Sequence, residues 1–277
     1  MSDMRAIYLF LSAILLLFGV QSRAQESGDD PAAVNNLTYA VAWKQTAAEY
    51  RALYHQGFNI ARLHVAAAIA GRSRSDKPLA VIADVDDTLL LSHAYWGFLL
   101  AAGQDFFDDS TWDQWVRSNR AAASPGALAF LRYCAENDVE VFYVTSRDQG
   151  DDTYALALDN LVSAGFPYAD AGHLTVLRES SNKEVIQDEI RQTHEVVVML
   201  GDNLNDFSRR YYVTDVDERL ALMEQDSSRF GSQYVLFPNP TDGHWIRAIF
   251  GESEPPGSAE NREVIKAAAT RDSWPGL

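Results

Sequence analysis

The stretch that decides the fold is AVIADVDDTLLLSHAY, from Ala80 to Tyr95. An apolar run, Leu79–Ala83, ends abruptly in three acids, Asp84, Asp86 and Asp87. A short run that is apolar throughout is consistent with a strand buried on both faces. Three carboxylates delivered to one place repel one another, so the pattern indicates that something at this strand end neutralises them.

Similar apolar runs recur along the chain and alternate with stretches of helical spacing. The predicted strands are Leu79–Ala83, Val139–Val144, Leu174–Leu177, Val196–Leu200 and Gln233–Phe237. The predicted helices are Gly126–Glu136, Thr153–Ala164, Lys183–Thr193 and Val216–Arg229. Strands that alternate with helices imply a parallel sheet covered on both faces. The sequence therefore predicts an α/β fold with a doubly wound, Rossmann-like parallel sheet, which binds ligands at the carboxyl ends of its strands.

Three further segments lie outside this alternation of strands and helices. Asn35–Ala70 is rich in alanine and predicts two extra N-terminal helices, broken near Gly57. Ser92–Ala123 is rich in aromatic residues and predicts an inserted helical cap over the ligand site. The tail after Gly251 predicts a short helix near Glu260–Thr270.

The N-terminus predicts export. Ala6–Val20 is a continuous apolar run behind Arg5, and Ser22-Arg23-Ala24 offers small residues of the kind a signal peptidase reads. We expect residues 1–24 to be a cleaved signal peptide and residues 25–277 a single domain, periplasmic or secreted, with no stable membrane anchor after cleavage. The alternative is an uncleaved anchor, for which the run is short.

Charge and cysteine content exclude several classes of protein. The net charge is −16, so binding to a nucleic-acid backbone by bulk electrostatics is not expected. The single cysteine, Cys134, cannot form an intramolecular disulfide and is expected to pack in the core. The sequence does not indicate an oligomeric state.

Polar side chains follow four of the predicted strands. In chain order they are Asp84 and Asp86, then Thr145 and Ser146, then Lys183, then Asp202 and Asp206. Clustered carboxylates are tolerated when a divalent cation neutralises them, and hard oxygen ligands suit Mg²⁺. We expect the carboxylates of Asp84 and Asp202, with the backbone carbonyl of Asp86, to bind Mg²⁺.

This set of residues predicts phosphoryl transfer. Asp84 can act as a nucleophile and form an aspartyl phosphate, and Asp86 can act as the general acid and base. Thr145, with Ser146 beside it, can hold the phosphoryl oxygens, and Lys183 can neutralise their charge.

Each of these motifs has another reading when it is taken alone. Asp84–Thr88 could be a Ca²⁺ loop or a turn with solvated acids, and Gly201–Asp206 could be a turn with a helix cap. Thr145 could cap a strand end, and Lys183 could be exposed to solvent. Their occurrence together, each just after an apolar strand, favours the catalytic interpretation.

The pattern resembles the haloacid dehalogenase superfamily, whose Asp-x-Asp-x-Thr motif is matched by Asp84, Asp86 and Thr88. Within it the chain is similar to the class C acid phosphatases, which include lipoprotein 5'-nucleotidases. The supporting stretches are AVAWKQTAAEYRALYHQGFNIA, TWDQWVRSNRAAASPGALAFLRYC, VFYVTSRD, GDNLNDF and VLFPNPTDGHW. The resemblance implies a Mg²⁺-dependent phosphomonoesterase that is most active at mildly acidic pH, with Thr88 and Asp206 orienting the site.

The chain departs from the family pattern at three points. It lacks the cysteine that is lipidated in the lipoprotein members, and Asp87 stands where the family usually has Glu. Asp242 stands where the family usually has a Tyr that helps to hold a nucleobase. Tyr95 or Trp245 could stack on a substrate ring instead, although packing in the core or cap is the other reading of both.

The leading functional prediction is therefore an acid phosphatase that hydrolyses small phosphomonoesters, with nucleoside 5'-monophosphates among them. One alternative is a phosphatase specific for a single metabolite such as a sugar phosphate. Another is a non-catalytic surface protein that binds a haem-like ligand on the same scaffold, although the complete catalytic set argues against it.

Overall fold

A five-stranded parallel sheet organises the computed structural model, which describes residues 35–73 and 76–276. The strands are β1 (Leu79–Ala83), β2 (Leu90–Leu91), β3 (Ala122–Ala123), β4 (Glu140–Ser146), β5 (Leu174–Leu177), β6 (Glu195–Gly201) and β7 (Tyr234–Leu236). The sheet order is β5-β4-β1-β6-β7, and every pair in it is parallel. The predicted α/β fold is confirmed, and each of the five predicted strands is present within two residues of its predicted bounds.

Within the described residues, ten α-helices surround the strands. They are α1 (Thr38–Thr46), α2 (Ala48–Gly71), α3 (His93–Ala101), α4 (Asp109–Ser118), α5 (Ala127–Glu136), α6 (Thr153–Ser163), α7 (Glu184–Thr193), α8 (Val216–Gln225), α9 (Trp245–Phe250) and α10 (Ala259–Ala269). The predicted helix Val216–Arg229 ends early, at Gln225, and continues as a separate 3-10 turn over Ser227–Arg229. The short helix α9 was not predicted from the sequence.

The alternation of side chains along β1 explains why the whole strand is apolar. Val81 packs on one face of the sheet in a core cluster with residues of α2, α5 and α6. Ala80 and Ile82 pack on the other face, in a cluster that includes Ile190 of α7. Both faces are covered by helices, so all five residues of β1 are buried.

The break between the N-terminal helices lies at Ala47, so the predicted break near Gly57 is wrong. Ala47 is extended, with φ −76° and ψ 124°, and separates α1 from α2. Gly57 lies inside α2, where its missing side chain makes room for the ring of Phe237. A Cβ atom at Gly57 would lie 2.6 Å from Cε1 of Phe237. The glycine therefore permits close packing of the helix on the chain after β7.

The predicted cap stretch forms α3 and α4, and an aromatic cluster joins them. The rings of Tyr95, Trp96, Phe107 and Trp112 lie edge-on or tilted to one another at centroid distances of 5.1–6.3 Å. A small antiparallel ribbon of β2 and β3, which was not predicted, closes the base of this segment.

Two other sequence predictions concern burial and membranes. Cys134 is fully buried on α5, as expected, and burial raises the pKa of its thiol to about 12. The predicted signal peptide, residues 1–24, lies outside the described residues. Within the described ranges, no helix combines the length and apolar character needed to span a bilayer.

Candidate active site

The strand order brings the predicted acids together. The strands β4 and β6 flank β1, so the chain leaves β1 toward one side of the sheet and later returns on the other. This is the switch point at which α/β sheets bind ligands. The backbone N–H of Asp84 donates to the carbonyl of Leu200 at 2.9 Å, which aligns the end of β1 with the end of β6. Asp84 and Asp202 thus lie side by side.

Three carboxylates converge at this point. Oxygen atoms of Asp84, Asp202 and Asp206 all lie within 4.8 Å of one another. Gly201 makes the arrangement possible, because a Cβ atom there would lie 2.5 Å from Cβ of Asp206. The prediction placed Asp206 beside the metal ligands and gave a ligand role to the backbone carbonyl of Asp86. The role of that carbonyl stays a prediction.

The electrostatics of the cluster fit a cation. Burial raises the pKa of Asp202 well above its ordinary value, and repulsion from Asp206 and Asp84 raises it further. Burial also raises the pKa of Asp84, although Lys183 opposes this. A divalent cation would favour the ionised forms of these carboxyl groups, and their oxygen atoms match the donor set that hard cations such as Mg²⁺ prefer.

Lys183 is buried between two of these acids. Its Nζ atom donates to Oδ1 of Asp84 at 2.5 Å and to Oδ1 of Asp206 at 2.8 Å, and the residue is 6 % exposed. Burial alone would lower the pKa of the amine, but the carboxylates of Asp206 and Asp84 outweigh it and the pKa is raised. The lysine is therefore a fixed cation next to the predicted nucleophile, and the reading of it as solvent-exposed is excluded.

Asp202 is oriented by two neutral donors. Thr88 donates from Oγ1 to Oδ1 of Asp202 at 3.0 Å, and Asn239 donates from Nδ2 to the other oxygen at 2.8 Å. The predicted orienting role of Thr88 thus corresponds to a direct contact. Asn239 was not predicted.

Asp86 is held by an arginine. Arg147 donates from Nε and Nη2 to the two carboxylate oxygens of Asp86, both at 2.6 Å. A third nitrogen of Arg147 donates to Oδ1 of Asn160 at 2.9 Å, which fixes the guanidinium. Thr145 lies 3.5 Å from the same carboxylate through its hydroxyl. The predicted acid, Asp86, and the predicted phosphate ligand, Thr145, therefore share one corner of the site.

A buried ion pair between Lys44 and Asp87 holds the loop after β1. Nζ of Lys44, on α1, donates to Oδ2 of Asp87 at 2.9 Å and to Oγ1 of Thr241 at 2.8 Å. The same amine lies 3.3 Å from Oδ1 of Asn239, the residue that holds Asp202. Asp87 has φ 54°, in the left-handed region, which Asp enters more readily than most residues. The pair connects α1 to the loop after β1 and to the segment after β7 that contains Asn239 and Thr241.

The remaining predicted residues make their described hydrogen bonds outside the carboxylate cluster. Ser146 is exposed at the end of β4, and its hydroxyl donates to the carbonyl of Ser180 at 3.4 Å. Tyr95 is 1 % exposed and packs inside the cap, with a hydroxyl that bonds to the backbone at Asp108. Trp245 donates from its indole nitrogen to the carbonyl of Asp242. A substrate role for these three side chains stays a prediction.

Sequence reasoning missed Arg147, Asn239 and Lys44 as site residues. Arg147 directly follows the strand-end hydroxyls in VTSRD, so its position was a usable signal. Asn239 comes two residues after the predicted strand Gln233–Phe237, so its position was also a usable signal. Lys44 lies outside the strand-end pattern, 195 positions from Asn239, and no local pattern connects the two.

Comparison with known proteins agrees with this geometry. The family model described as HAD superfamily, subfamily IIIB (Acid phosphatase) matches residues 25–245. The chain is similar to the structure of the class C acid phosphatase from Bacillus anthracis, with 28 % identity over 89 % of this chain and 99 % of that one, at a TM-score of 0.78. It is also similar to the same organism's enzyme with tungstate bound, with 28 % identity over 86 % of this chain and 96 % of that one, at a TM-score of 0.76.

Proposed function

Because the chain belongs to subfamily IIIB of the HAD superfamily, the acid phosphatases, and is a phosphomonoesterase of class C type, we propose that it works through a phosphoryl group carried on Asp84. The observation that supports this most directly is the placement of Asp84. Its carboxylate is buried at the switch point of the sheet, 2.5 Å from Nζ of Lys183 and beside Asp202. Such a carboxylate is oriented and has a fixed positive charge where phosphoryl oxygens would lie.

The proposed reaction has two balanced steps. An oxygen of Asp84 attacks phosphorus, the bond from phosphorus to the alcohol oxygen breaks, and Asp86 gives its proton to the leaving alcohol. Water then attacks phosphorus, the bond to Asp84 breaks, and Asp86 takes the proton back as inorganic phosphate leaves. Lys183 and the hydroxyl of Thr145 stabilise charge on the phosphoryl oxygens in both steps.

Residues Asp84, Asp202 and Asp206 would hold a divalent cation, and we propose Mg²⁺ because the donors are all oxygen atoms. The cation supplies charge stabilisation for the phosphoryl group. Hydrolysis with Mg²⁺, Mn²⁺ or Co²⁺ after treatment with a chelator tests this choice of metal.

The variant Asp84→Asn tests the nucleophile. We expect kcat to fall by about 1,000-fold or more because an amide cannot take up the phosphoryl group. The fold should persist, since Lys183 keeps Asp206 as its partner. Hydrolysis of a chromogenic phosphate ester and thermal melting measure the two effects, with exposed Asp188→Asn as the control. Full activity in Asp84→Asn would remove Asp84 from the proposed role.

The proposed substrates are small phosphomonoesters, including nucleoside 5'-monophosphates. Asp242 in place of an aromatic residue widens this range, because an acid offers no stacking surface for a base. A panel of nucleotides, sugar phosphates and aryl phosphates, run with and without chelator, separates broad specificity from the alternative of one preferred metabolite. A single substrate that exceeds all others by orders of magnitude in kcat/KM would favour that alternative.

We also propose that the enzyme acts outside the cytoplasm at mildly acidic pH. The apolar run Ala6–Val20 and the small residues that follow it support export. The tungstate-bound relative suggests inhibition of this chain by tungstate, an oxyanion that resembles phosphate. Fractionation of expressing cells and a profile of rate against pH, with and without tungstate, test these points.

A further inference from the structure

One buried side chain, that of Asn160, connects the cap to the carboxylate of Asp86. Asn160 lies on α6 and is 4 % exposed. Its amide oxygen accepts a hydrogen bond from Nη1 of Arg147 at 2.9 Å, and Arg147 in turn donates to both carboxylate oxygens of Asp86. The nitrogen of the same amide faces away from Arg147, toward the cap.

The amide nitrogen of Asn160 binds the end of α4, the second helix of the cap. Nδ2 donates to the carbonyl of Val116 at 3.2 Å and to Oδ1 of Asn119 at 2.9 Å. Val116 lies in the last turn of α4, where carbonyl groups need partners from outside the regular helix. Since the amide nitrogen has two protons, the cap accepts both hydrogen bonds that Asn160 can donate.

Asn119 fixes the end of this cap helix on α6. It terminates α4 in the left-handed conformation, with φ 53° and ψ 40°, which Asn adopts more readily than most residues. Its Nδ2 atom donates to Oδ2 of Asp159 at 2.9 Å and to Oγ of Ser163 at 2.6 Å, both on α6. The end of α4 is therefore held on α6 by a group of side-chain hydrogen bonds that includes those of Asn160.

An ion pair also joins α4 to the core, but it lies on the surface. Arg117 donates from Nη1 to Oδ2 of Asp152 at 2.9 Å, and the two side chains are 46 % and 65 % exposed. Exposed pairs of this kind hold their partners weakly. Asn160 and Arg147 are both buried, so the buried connection runs from the end of α4 through these two side chains to Asp86.

From this series of contacts we propose that Asn160 is a positioning residue, which makes the orientation of Asp86 depend on the docking of α4. The inference rests on the proposed function, in which Asp86 is the general acid and base. With α4 docked, the amide of Asn160 is held at both ends, and its oxygen keeps the guanidinium of Arg147 aligned with the carboxylate of Asp86. Displacement of α4 would release the amide, and proton transfer would slow because it depends on that alignment.

Asn160→Leu tests the connection, because leucine is similar in size and makes none of the three hydrogen bonds. We expect kcat on a chromogenic phosphate ester to fall about 5- to 20-fold, with KM changed by less than about twofold. Asn119→Gly, which suits the left-handed backbone and removes the contact from the cap side, should lower kcat about 2- to 5-fold. The matched control is Asn261→Leu, which removes an exposed hydrogen bond to the carbonyl of Pro256 and should leave both constants unchanged. Thermal melting shows that each variant is folded.

A double-mutant cycle separates positioning from a merely structural role. Lysine at position 147 cannot hold both oxygens of Asp86, so Asn160→Leu should lower kcat by less than about twofold further when it is added to Arg147→Lys. Losses that multiply in the double variant, a rise in KM in place of the fall in kcat, or unchanged kcat in both Asn160→Leu and Asn119→Gly would each overturn the inference.

Asp86→Asn tests the proposed function separately. We expect it to lower kcat by about 100-fold or more, because an amide cannot carry the proton. Full activity in Asp86→Asn would remove the acid itself and the inference with it. A large loss in Asp86→Asn beside wild-type kinetics in Asn160→Leu would overturn only the positioning role of Asn160.

Discussion

Arg147 is the residue whose geometry adds most to the proposed chemistry. Two of its nitrogens hold the carboxylate of Asp86, and a third is fixed by Asn160. The planar guanidinium fits both oxygens at once, which an ammonium group cannot do. Asp86 is thus held in one orientation before substrate arrives. Burial raises the pKa of Asp86 and favours the protonated form that the first step needs, whereas Arg147 opposes this rise.

We expect Arg147→Lys to lower kcat by about 10- to 100-fold with little change in KM, because proton transfer depends on the orientation of Asp86. Steady-state kinetics on a chromogenic ester measure both constants. Arg178→Lys is the matched control, since Arg178 pairs with Asp148 on the surface. Equal kinetics in the two variants would show that a single ammonium group positions Asp86 well enough.

Asp242 should make stability depend on pH. Burial raises its pKa to about 6 from 3.8, against the hydrogen bond from the N–H of Gly243, and Asp87 adds to the rise. The folded state therefore binds more protons than the unfolded state between about pH 4 and 6. The contribution of this carboxyl to stability is full below that window and is lost as the pH rises through it.

Asp242→Asn should accordingly stabilise the protein at pH 7.5, relative to the wild type, by about 1–3 kcal/mol more than it does at pH 4. Urea unfolding at the two pH values measures the difference. Exposed Asp151→Asn should show no such change between the two pH values. A stabilisation of equal size at pH 4 and 7.5 would mean that the carboxyl group is ionised alike in the folded and unfolded chain.

At the scale of elements, the strands could be predicted because each is apolar throughout and is followed by a polar side chain. The strand-end rule then placed Asp84, Asp86, Lys183 and Asp202 in one site. The ribbon of β2 and β3 could not be predicted, since two residues per strand carry no periodicity. The misplaced helix break has a physical cause as well, because Gly57 serves a long-range contact with Phe237 that local propensity cannot reveal.

The same contact gives a prediction for α2. We expect Gly57→Ala to destabilise the protein by about 1–3 kcal/mol, because the new methyl group would overlap the ring of Phe237. Gly71→Ala is the matched control in the same helix, since nothing lies within 4 Å of a Cβ atom there. Denaturant unfolding should find it neutral or slightly stabilising. Similar effects of the two substitutions would show that the contact with Phe237 does not decide the outcome at position 57.

At the scale of the whole molecule, the ion pair of Lys44 and Asp87 joins parts of the chain that are far apart in sequence. It connects α1, the loop after β1 and the segment around Asn239 and Thr241. The side chains are 0 % and 5 % exposed, so neither charge has access to water. Loss of one partner leaves the other buried and unpaired.

We expect Lys44→Met to destabilise the protein by about 3–5 kcal/mol, while exposed Lys266→Met changes stability by less than about 1 kcal/mol. The double variant Lys44→Met/Asp87→Asn should lose less than the sum of the single losses, because no charge is left unpaired. Chemical denaturation of the wild type, Lys44→Met, Asp87→Asn and the double variant measures the coupling. Additive losses would show that the two groups act independently.

The burial of Lys44 also means that chemical modification of this lysine distinguishes unfolded from folded molecules. The sequence has four lysines, and two of them, Lys44 and Lys183, are 4 % and 6 % exposed. An amine-reactive reagent would therefore modify the exposed Lys77 and Lys266 of the native enzyme and spare Lys44 and Lys183. Acylation of Lys44, measured by peptide mass spectrometry, would therefore identify molecules that have unfolded.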